Sequence, residues 1–572
     1  MNRRFTIGVL LVTLLAYAKL ILPTQLDGGN WVAVSGTVFR SGTSEPLSKA
    51  QVEITSADVG SLRDYSYIVG LHNAAKARHG VFTTWTNERG VFSFPKIPAG
   101  RYKLSATRNG YSRNEYRPDG RQAQGAVLAL APGDDIKELK ISLTPAATIS
   151  GTVLNERKNP VTHASVQAML LEYLPGGRRG YRLIQAVPTN DLGQYRLYWL
   201  PPGEYLVALE YGKTARHENV PTVPENRNIW LPDQDYPRFF YPNTTDVTAA
   251  KPIVISGGRD VTGIDFGLSQ NRLATLTGEI VMANGAAQLK PMTIFAVPLS
   301  LLDGPFSSAQ KSDPNGKFSI KNVPVGSYAL RALSFDRSQE LVSPAVVVNV
   351  LGKDLDNIRI PLYAPVRIRG RIQVQGTREP FNFARLLVRF SGPLGQVETF
   401  DGITNSDGSF TAEGGGWPGD FNVSILGLPS PFFLKDVVIQ GNSVLSSGLR
   451  IGSDTPPEIT LVVTRHAGVV SGTVVGSDLR HKPAVEVVFV PSDNLRGRHD
   501  RYLRTMTDLS GEFRIESPPP GEYMVYAFED VRATSYYDAE FLKKYEFRGT
   551  RAAINENVDN TLTLRLIPKE DN

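Results

Sequence analysis

The sequence lacks the residues that most often build catalytic centres. It has no cysteine and only seven histidines among 572 residues. The absence of cysteine excludes disulfides, thiolate nucleophiles and cysteine-ligated metal centres. No histidine is followed by a glutamate three residues later, and no nucleophile elbow or phosphate-binding loop occurs. We therefore predict that the protein is not an enzyme and has no cofactor and no metal, although sequence alone leaves a catalytic pair of carboxylates open.

Long hydrophobic runs are missing after the first residues of the chain. Residues 1–18 combine Arg3 and Arg4 with an apolar stretch and end in Ala16-Tyr17-Ala18, which is typical of a cleaved signal peptide. An uncleaved anchor extended through residues 20–22 is the alternative. We expect an exported protein, either periplasmic, at the cell surface or secreted, with no membrane span beyond this segment. Without disulfides, its domains must be stabilised by core burial alone.

A strong charge of either sign is also absent. The formal net charge is only +6, and the basic residues form no continuous face with interleaved aromatics, so we expect no nucleic-acid partner. Two short basic segments, residues 178–182 and 496–501, are interpreted as exposed hairpin tips. The 52 glycines and 39 prolines are typical of a β protein rich in turns.

One sequence motif, which we call the repeated phrase, occurs five times. It begins with Asn or Asp, has glycine three residues later, continues as an alternating strand and ends at a proline–glycine corner followed by an aromatic residue. The copies begin at residues 87, 190, 313, 405 and 508. Their spacing is that of whole domains.

The chemistry of the phrase predicts a β-hairpin followed by a tight corner. The Asx side chain can accept hydrogen bonds from nearby backbone N–H groups, and glycine adopts a positive φ without a Cβ clash. We predict that ten glycines have structural roles in these turns: Gly90, Gly100, Gly193, Gly203, Gly316, Gly326, Gly408, Gly419, Gly511 and Gly521. The aromatic residues after the corners are expected to be core and corner packing.

Each copy also shares an opening and a closing strand. The opening strand carries a glycine followed two residues later by a β-branched residue, as in Gly36-Thr37-Val38, and an acidic residue precedes the closing strand. These boundaries predict five domains: 31–144, 145–268, 269–363, 364–464 (degenerate) and 465–569. The short linkers favour a semi-rigid rod of domains.

Within each copy, short β-rich runs separated by turns predict an antiparallel β-sandwich. The expected fold class is therefore all-β, a tandem array of about five sandwiches. One helix is predicted in the last domain over residues 538–546, with Asp538 as its N-cap and Phe541, Leu542 and Tyr545 on one face. We interpret it as a plug over the edge of the sandwich.

These motifs resemble the carboxypeptidase regulatory-like domain. The resemblance rests on Gly-Thr-Val, on Pro-x-x-x-Ala-x-Val at residues 46–52 and 160–166, and on the hairpin and corner phrases. It implies a transthyretin-like (prealbumin-like) β-sandwich, often grouped with carbohydrate-binding-like folds. It covers almost the whole chain after the signal segment and is weakest in the fourth copy. Because the motifs consist of turn and core residues, they predict a fold rather than a function.

The best candidate binding segment is an insertion in the second copy, residues 213–250. It places aromatic side chains beside polar ones, as sugar-stacking platforms do. The candidate ligand-binding residues are Trp230, Asp233, Asp235, Tyr236, Arg238, Phe239 and Tyr241. A hydrophobic lid folded onto the sandwich is the alternative, and the two differ in whether the rings are exposed.

Two functions follow as expectations. The first is a non-catalytic exported binding protein whose partner is a polysaccharide or another polymer of the cell surface. The alternative is a structural spacer or assembly protein of the cell envelope, which would contact envelope proteins through edge strands.

Overall fold

The structure is a computed structural model of the whole chain. It describes the residues in the following ranges: 31–57, 81–120, 125–173, 179–212, 236–269, 273–285, 291–300, 308–333, 341–377, 380–383, 386–429, 431–452, 458–465, 468–532 and 534–569. The predicted signal peptide lies outside these ranges. The architecture is almost entirely β, arranged as five successive sandwiches, so the predicted fold class is confirmed.

The first sandwich has two sheets. Its strands are β1 (Trp31–Arg40), β2 (Gln51–Ser56), β3 (Phe82–Trp85), β4 (Val91–Pro98), β5 (Gly100–Thr107), β6 (Asn114–Glu115), β7 (Leu128–Leu130) and β8 (Asp135–Leu143). One sheet has the order β4-β1-β8, and the other has the order β3-β2-β5-β6 with β7 also paired to β5. The opening strand β1 is antiparallel to β4 but parallel to the closing strand β8.

The second and third sandwiches repeat this plan. The second contains β9 (Ala147–Asn155), β10 (Ser165–Tyr173), β11 (Arg179–Pro188), β12 (Gln194–Leu200), β13 (Gly203–Glu210), β14 (Phe239–Phe240), β15 (Ile253–Ile255) and β16 (Phe266–Leu268). The third contains β17 (Ala274–Met282), β18 (Thr293–Pro298), β19 (Ser308–Lys311), β20 (Lys317–Val323), β21 (Gly326–Leu333), β22 (Val346–Val350) and β23 (Leu355–Leu362). In both, the closing strand again lies parallel to the opening strand.

In the last two sandwiches the sheets join. The fourth has β24 (Val366–Gln375), β25 (Leu387–Gly392), β26 (Gly395–Thr404), β27 (Ser409–Gly416), β28 (Gly419–Leu426), β29 (Phe433–Ile439), β30 (Asn442–Ser443), β31 (Leu449–Ile451) and β32 (Ile459–Thr464). The fifth has β33 (Val469–Val475), β34 (Glu486–Pro491), β35 (Leu503–Met506), β36 (Glu512–Glu516), β37 (Gly521–Phe528), β38 (Thr550–Ile554) and β39 (Asn560–Ile567). No sheet in the described ranges combines strands of two predicted domains; the boundaries themselves stay a prediction.

Within the described ranges, helical structure is limited to single turns and one short helix, α1 (Ala539–Lys543). The 3-10 turns are Val247–Ala249, Asp493–Leu495, His499–Arg501, Ser535–Tyr537 and Glu546–Arg548. Asp538 caps α1 as predicted by accepting a hydrogen bond from the N–H of Glu540. Leu542 and Tyr545 pack on Tyr526 and Phe528 of β37, so the helical segment covers the outer face of the sheet rather than its edge. None of the helices within the described ranges is long and apolar enough to cross a membrane.

The hairpin turns form as the sequence predicts. The Asn190 Oδ1 accepts hydrogen bonds from the N–H groups of Leu192 and Gln194 at 3.0 and 2.8 Å. Gly193 completes the turn at φ +71°. The turn glycines of the other four copies also have positive φ. Asn87, Asp313 and Asp508 accept the equivalent backbone hydrogen bonds, whereas in the fourth copy Asp407 accepts from the Ser409 N–H instead.

The corner glycines behave less uniformly than predicted. Gly100, Gly326 and Gly521 have φ values between +151° and +156°, but Gly203 and Gly419 do not have a positive φ. A valine at Gly203 would therefore meet no left-handed strain, contrary to expectation, and a Cβ there would press only on the mobile end of Leu170. The aromatic residue after the corner, rather than the glycine, stabilises the bend at this position.

These aromatics have a second function beyond packing. The hydroxyls of Tyr205, Tyr328 and Tyr523 donate to the carbonyl oxygen of the residue four positions earlier, at 2.8 to 3.1 Å. Burial favours the neutral phenol and raises the pKa of Tyr523 to about 12. The ring and the hydrogen bond together fix the proline–glycine corner.

The opening-strand glycines are close to the closing strand in every sandwich. A Cβ at any of them would lie less than 3.0 Å from a carbonyl oxygen of that strand. The pairs are Gly36 with Leu139, Gly151 with Ile264, Gly278 with Ile358, Gly370 with Ile459, and Gly472 with Leu562. These positions exclude every side chain because the obstacle is backbone.

The five sandwiches do not form a rod, contrary to the expectation from short linkers. The first contacts the fifth, 367 residues away, through Arg117, whose Nη1 donates to the Ala484 carbonyl at 2.8 Å. Arg117 is 4% exposed and also pairs with Asp119. Nearby, Val127 lies beside Thr507. The fifth sandwich also contacts the second, where Thr534 donates to the Tyr173 carbonyl at 2.6 Å.

Two arginines of the basic segment at residues 496–501, Arg498 and Arg501, are buried between sandwiches rather than exposed at a hairpin tip. Arg498 donates to the carbonyls of Val423 and Leu445, and Arg501 donates to that of Leu434 at 2.6 Å. Desolvation by burial lowers the pKa of Arg501. Both guanidinium groups thus hold the fifth sandwich against the fourth, and the interpretation as a solvated tip is wrong.

We predict that Gly193→Ala destabilises the second sandwich far more than Gly263→Ala. Both glycines have similar positive φ values, +71° and +76°, but a Cβ at Gly193 would lie 2.5 Å from the Val153 carbonyl oxygen whereas Gly263 has open space. Backbone strain alone should cost about 1 kcal/mol, and overpacking should add about 2 kcal/mol at Gly193. Urea denaturation with amide exchange of the second sandwich measures both. Equal effects would contradict the steric part of the argument.

We predict that Arg117→Met separates the first and fifth sandwiches. The variant keeps the aliphatic packing but removes the hydrogen bond to Ala484 and the pair with Asp119. Small-angle X-ray scattering should show a larger maximum dimension, and the Val127 amide should exchange faster. Arg89→Met, at an exposed arginine of a hairpin turn, is the control. An unchanged scattering profile would show that other contacts suffice to hold the first and fifth sandwiches together.

Candidate functional site

The described half of the predicted binding segment packs on the second sandwich. Phe239 is 0% exposed and lies in the core, so its assignment as a stacking residue is wrong. Tyr236 packs on Tyr211 with ring centroids 5.7 Å apart, and Tyr241 packs edge-on against Phe266. The half-buried tyrosines are arranged as the lid alternative expects.

The polar side of this segment is also engaged. Arg238 forms an ion pair with Glu210, and Gln167 donates to the same carboxylate. Trp230, Asp233 and Asp235 lie outside the described residues, and their role stays a prediction.

A different aromatic pair borders a cleft between the first and second sandwiches. The cleft has a volume of about 470 Å³, within the usual range of ligand sites. Its lining residues are Gly110, Ala146, Thr148, Arg196, Tyr198, Trp199, Gly258 and Asp260. The cleft is built on the linker between the two sandwiches, where Ala146 donates to the Gly110 carbonyl at 2.9 Å.

Two neighbouring rings form one wall of this cleft. Trp199 is 54% exposed and Tyr198 is 43% exposed. Their ring centroids lie 5.3 Å apart with an interplanar angle of 86°. The side chain of Gln185 accepts a hydrogen bond from the Tyr198 N–H at 2.8 Å, which fixes the backbone beneath the rings. Exposed paired aromatics are unusual in a folded domain and mark surfaces that contact a ligand or partner.

The backbone at Trp199 is strained. The pairing of β12 with β9 shifts register between Leu197 and Leu200, which produces a bulge. Within the bulge Trp199 has φ +56°, in the left-handed region that bulky side chains rarely adopt. Such strain costs about 1 to 3 kcal/mol and collects at functional positions.

The other copies show how the same position is normally filled. Trp199 stands six residues after the turn glycine (193 to 199), where the first, third and fifth copies have Lys96, Asn322 and Ser517. Asn322 and Ser517 also have positive φ, +61° and +49°. Small polar residues tolerate this conformation better than an indole does. The same backbone conformation therefore forms in other copies without a tryptophan.

The polar groups of the cleft have distinct roles. Asp260 accepts a hydrogen bond from the Thr148 N–H at 3.1 Å, as Asp354 does from Thr275 and Asp559 from Val469. It thus belongs to the shared contact between an opening strand and the acid before its closing strand. Arg196 is exposed and has no carboxylate partner among the described residues.

Sequence reasoning missed this cleft because Tyr198 and Trp199 lie inside the repeated phrase, which was interpreted as structural. The available signal was the mismatch with the other copies at one offset. The part of the chain that the structure describes contains no group of three His, Asp or Glu side chains placed to hold an ion.

Comparison with known families supports the resemblance for the first sandwich. Residues 33–143 match the family model described as the carboxypeptidase regulatory-like domain. A search of curated proteins gives no significant match to this chain.

Among solved structures, the chain is similar to bacterial pilins and to one further bacterial protein. The minor pilin GBS52 of Streptococcus agalactiae is 13% identical with a TM-score of 0.23, over 42% of this chain and 97% of that chain. The shaft pilin SpaA of Lactobacillus rhamnosus GG is 11% identical with a TM-score of 0.20, over 43% and 99%. The Bacillus anthracis TIE protein is 13% identical with a TM-score of 0.15, over 80% and 78%. TM-scores this low carry no argument about function.

We predict that Trp199→Asn raises the free energy of unfolding of the second sandwich by about 1 kcal/mol. Asparagine relieves the left-handed strain, and the half-exposed indole loses little burial. Thermal denaturation of the full chain, with amide exchange in β9 and β12, measures the change. A fall in stability would show instead that the indole, whose Nε1 points toward Gly110, acts as a wedge between the sandwiches.

Proposed function

We propose that this chain is an exported, non-catalytic binding protein that holds a carbohydrate polymer in the cleft between its first two sandwiches. The observation that carries the proposal is the exposed pair of Tyr198 and Trp199, with the tryptophan kept at a strained backbone position. A fold that needs only a small residue there gains no stability from an indole. Contact with a ligand would explain why a tryptophan occupies this position.

The chemistry of the cleft suits a sugar. The apolar face of a pyranose packs on an aromatic ring, while its hydroxyls need polar groups at the rim. Here the rings are accompanied by Arg196 and the Thr148 and Asp260 pair. The cleft is open to the surface, which an extended polymer requires.

A structural role in the cell envelope is the second candidate, and a specific observation favours it. Buried arginines connect the first, fourth and fifth sandwiches through backbone carbonyls. Such contacts fix the domains relative to one another and would present several surfaces in one rigid frame. In this alternative the rings of Tyr198 and Trp199 bind no ligand and only keep the first two sandwiches at a fixed separation.

Binding of polysaccharides to the full-length mature protein tests the proposal. Immobilised bacterial and plant polysaccharides should retain the wild-type protein, and Trp199→Asn should weaken retention by about tenfold or more, as loss of a stacked aromatic does. Because that variant is expected to be at least as stable as the wild type, lost binding cannot be attributed to unfolding.

The matched control is Trp85→Thr. Trp85 is 61% exposed on the edge strand β3, far in sequence from the cleft, and its replacement should leave retention unchanged. With 5-fluorotryptophan, only the ¹⁹F resonance of Trp199 should shift strongly when polymer is added. Equal retention of wild type and Trp199→Asn on every polymer would reject the cleft and favour the spacer function.

A further inference from the structure

One arginine lines the cleft, and two more lie close in sequence to its lining residues. Arg196 lines it, and Arg259 stands between the lining residues Gly258 and Asp260. On the first sandwich, Arg108 lies over the ring of Tyr111, next to Gly110, at 5.4 Å. None of these three arginines forms an ion pair within the described ranges.

The single acid among the lining residues, Asp260, is engaged in a contact that belongs to the fold. Asp260 accepts the Thr148 N–H, and the equivalent acids in the third and fifth sandwiches make the same contact without any cleft. Its carboxylate is therefore part of the fold. Among the described lining residues, Arg196 is therefore the charged group that is available to a ligand.

The charge and the geometry of the rings together restrict the chemical class of the ligand. A guanidinium group recognises carboxylate and phosphate through two parallel N–H donors, and partial exclusion of water beside aromatic rings strengthens that contact. Arg196 lies two and three residues before Tyr198 and Trp199, in the same strand β12. One sugar unit can thus contact a ring and the arginine at once.

From this arrangement we infer that the cleft takes an anionic polysaccharide, with Arg196 binding the acidic group and Trp199 stacking on the adjacent ring. This inference rests on the proposed function and adds the charge class of its ligand. The acidic group is a carboxylate, as in a polyuronate, or a phosphodiester, as in a polyol phosphate polymer; both match the guanidinium. The sequence pI of about 9.1 favours the encounter with such polymers.

The decisive probe pair is polygalacturonate and its fully methyl-esterified form, which share the sugar ring but differ in charge. The full-length wild-type protein should bind the acid at least about tenfold more tightly than the ester. Arg196→Gln should abolish that preference while retaining the weaker binding of the ester. Binding of the acid should also weaken with added salt, and binding of the ester should not.

Two further variants and one further polymer separate the outcomes. Arg565→Gln, at an exposed arginine of the fifth sandwich, removes the same charge elsewhere and should keep the preference. Trp199→Asn should lose both acid and ester. Poly(glycerol phosphate), bound more tightly than polygalacturonate and again lost in Arg196→Gln, would identify phosphate as the source of the charge.

Equal binding of acid and ester, a preference that survives Arg196→Gln, or no binding to either anionic polymer would overturn the inference. In the first two cases the cleft remains a carbohydrate site if Trp199→Asn still abolishes binding. If Trp199→Asn binds as the wild type does, the proposed function itself fails.

Discussion

The whole architecture depends on how closely the first and last strands of each sandwich approach. In all five, a glycine of the opening strand faces a backbone carbonyl of the closing strand with no room for a Cβ. This contact joins residues that are about a domain length apart in sequence, and it places the strands in parallel rather than in a hairpin. The acids before the closing strands, Asp260, Asp354 and Asp559, secure the same pair from the other end. Everything between these strands can vary in length as long as the pair forms.

Such a scaffold leaves particular positions available for other uses. In the second and third sandwiches the position six residues after the turn glycine is exposed and has a positive φ, so its side chain does not belong to the core. Asn322 and Ser517 occupy it with residues that suit the backbone, whereas Trp199 does not. The strain of one unsuitable residue is tolerable because a sandwich with a complete core is stable by several kcal/mol. Because the motif is repeated within one chain, comparison of its copies is enough to identify Trp199 as the exceptional residue.

The sequence predicts what is local and repeated, and it fails where contacts are distant. The Asx–glycine turns and the N-cap Asp538 follow from side-chain chemistry a few residues away, and they form as expected. Arg498 and Arg501 look like a solvated loop because their partners are backbone carbonyls of another sandwich, which leave no mark in composition. The contact of the first sandwich with the fifth through Arg117 cannot be predicted from the sequence for the same reason. The predicted stacking role of Phe239 is wrong because an aromatic segment has the same sequence pattern whether its rings face a ligand or a core.

The parallel pairing of opening and closing strands sets an order on folding. A chain that emerges from a ribosome or a translocation channel exposes the opening strand first, yet its partner arrives only after the rest of that sandwich. Until then the edge of the opening strand is unpaired and available to chaperones or to other chains. The first and fifth sandwiches can join only after residues near Ala484 have emerged and met Arg117, when the three intervening sandwiches have already been synthesised. Vectorial export would thus deliver a string of separately completed sandwiches that assembles as its last step.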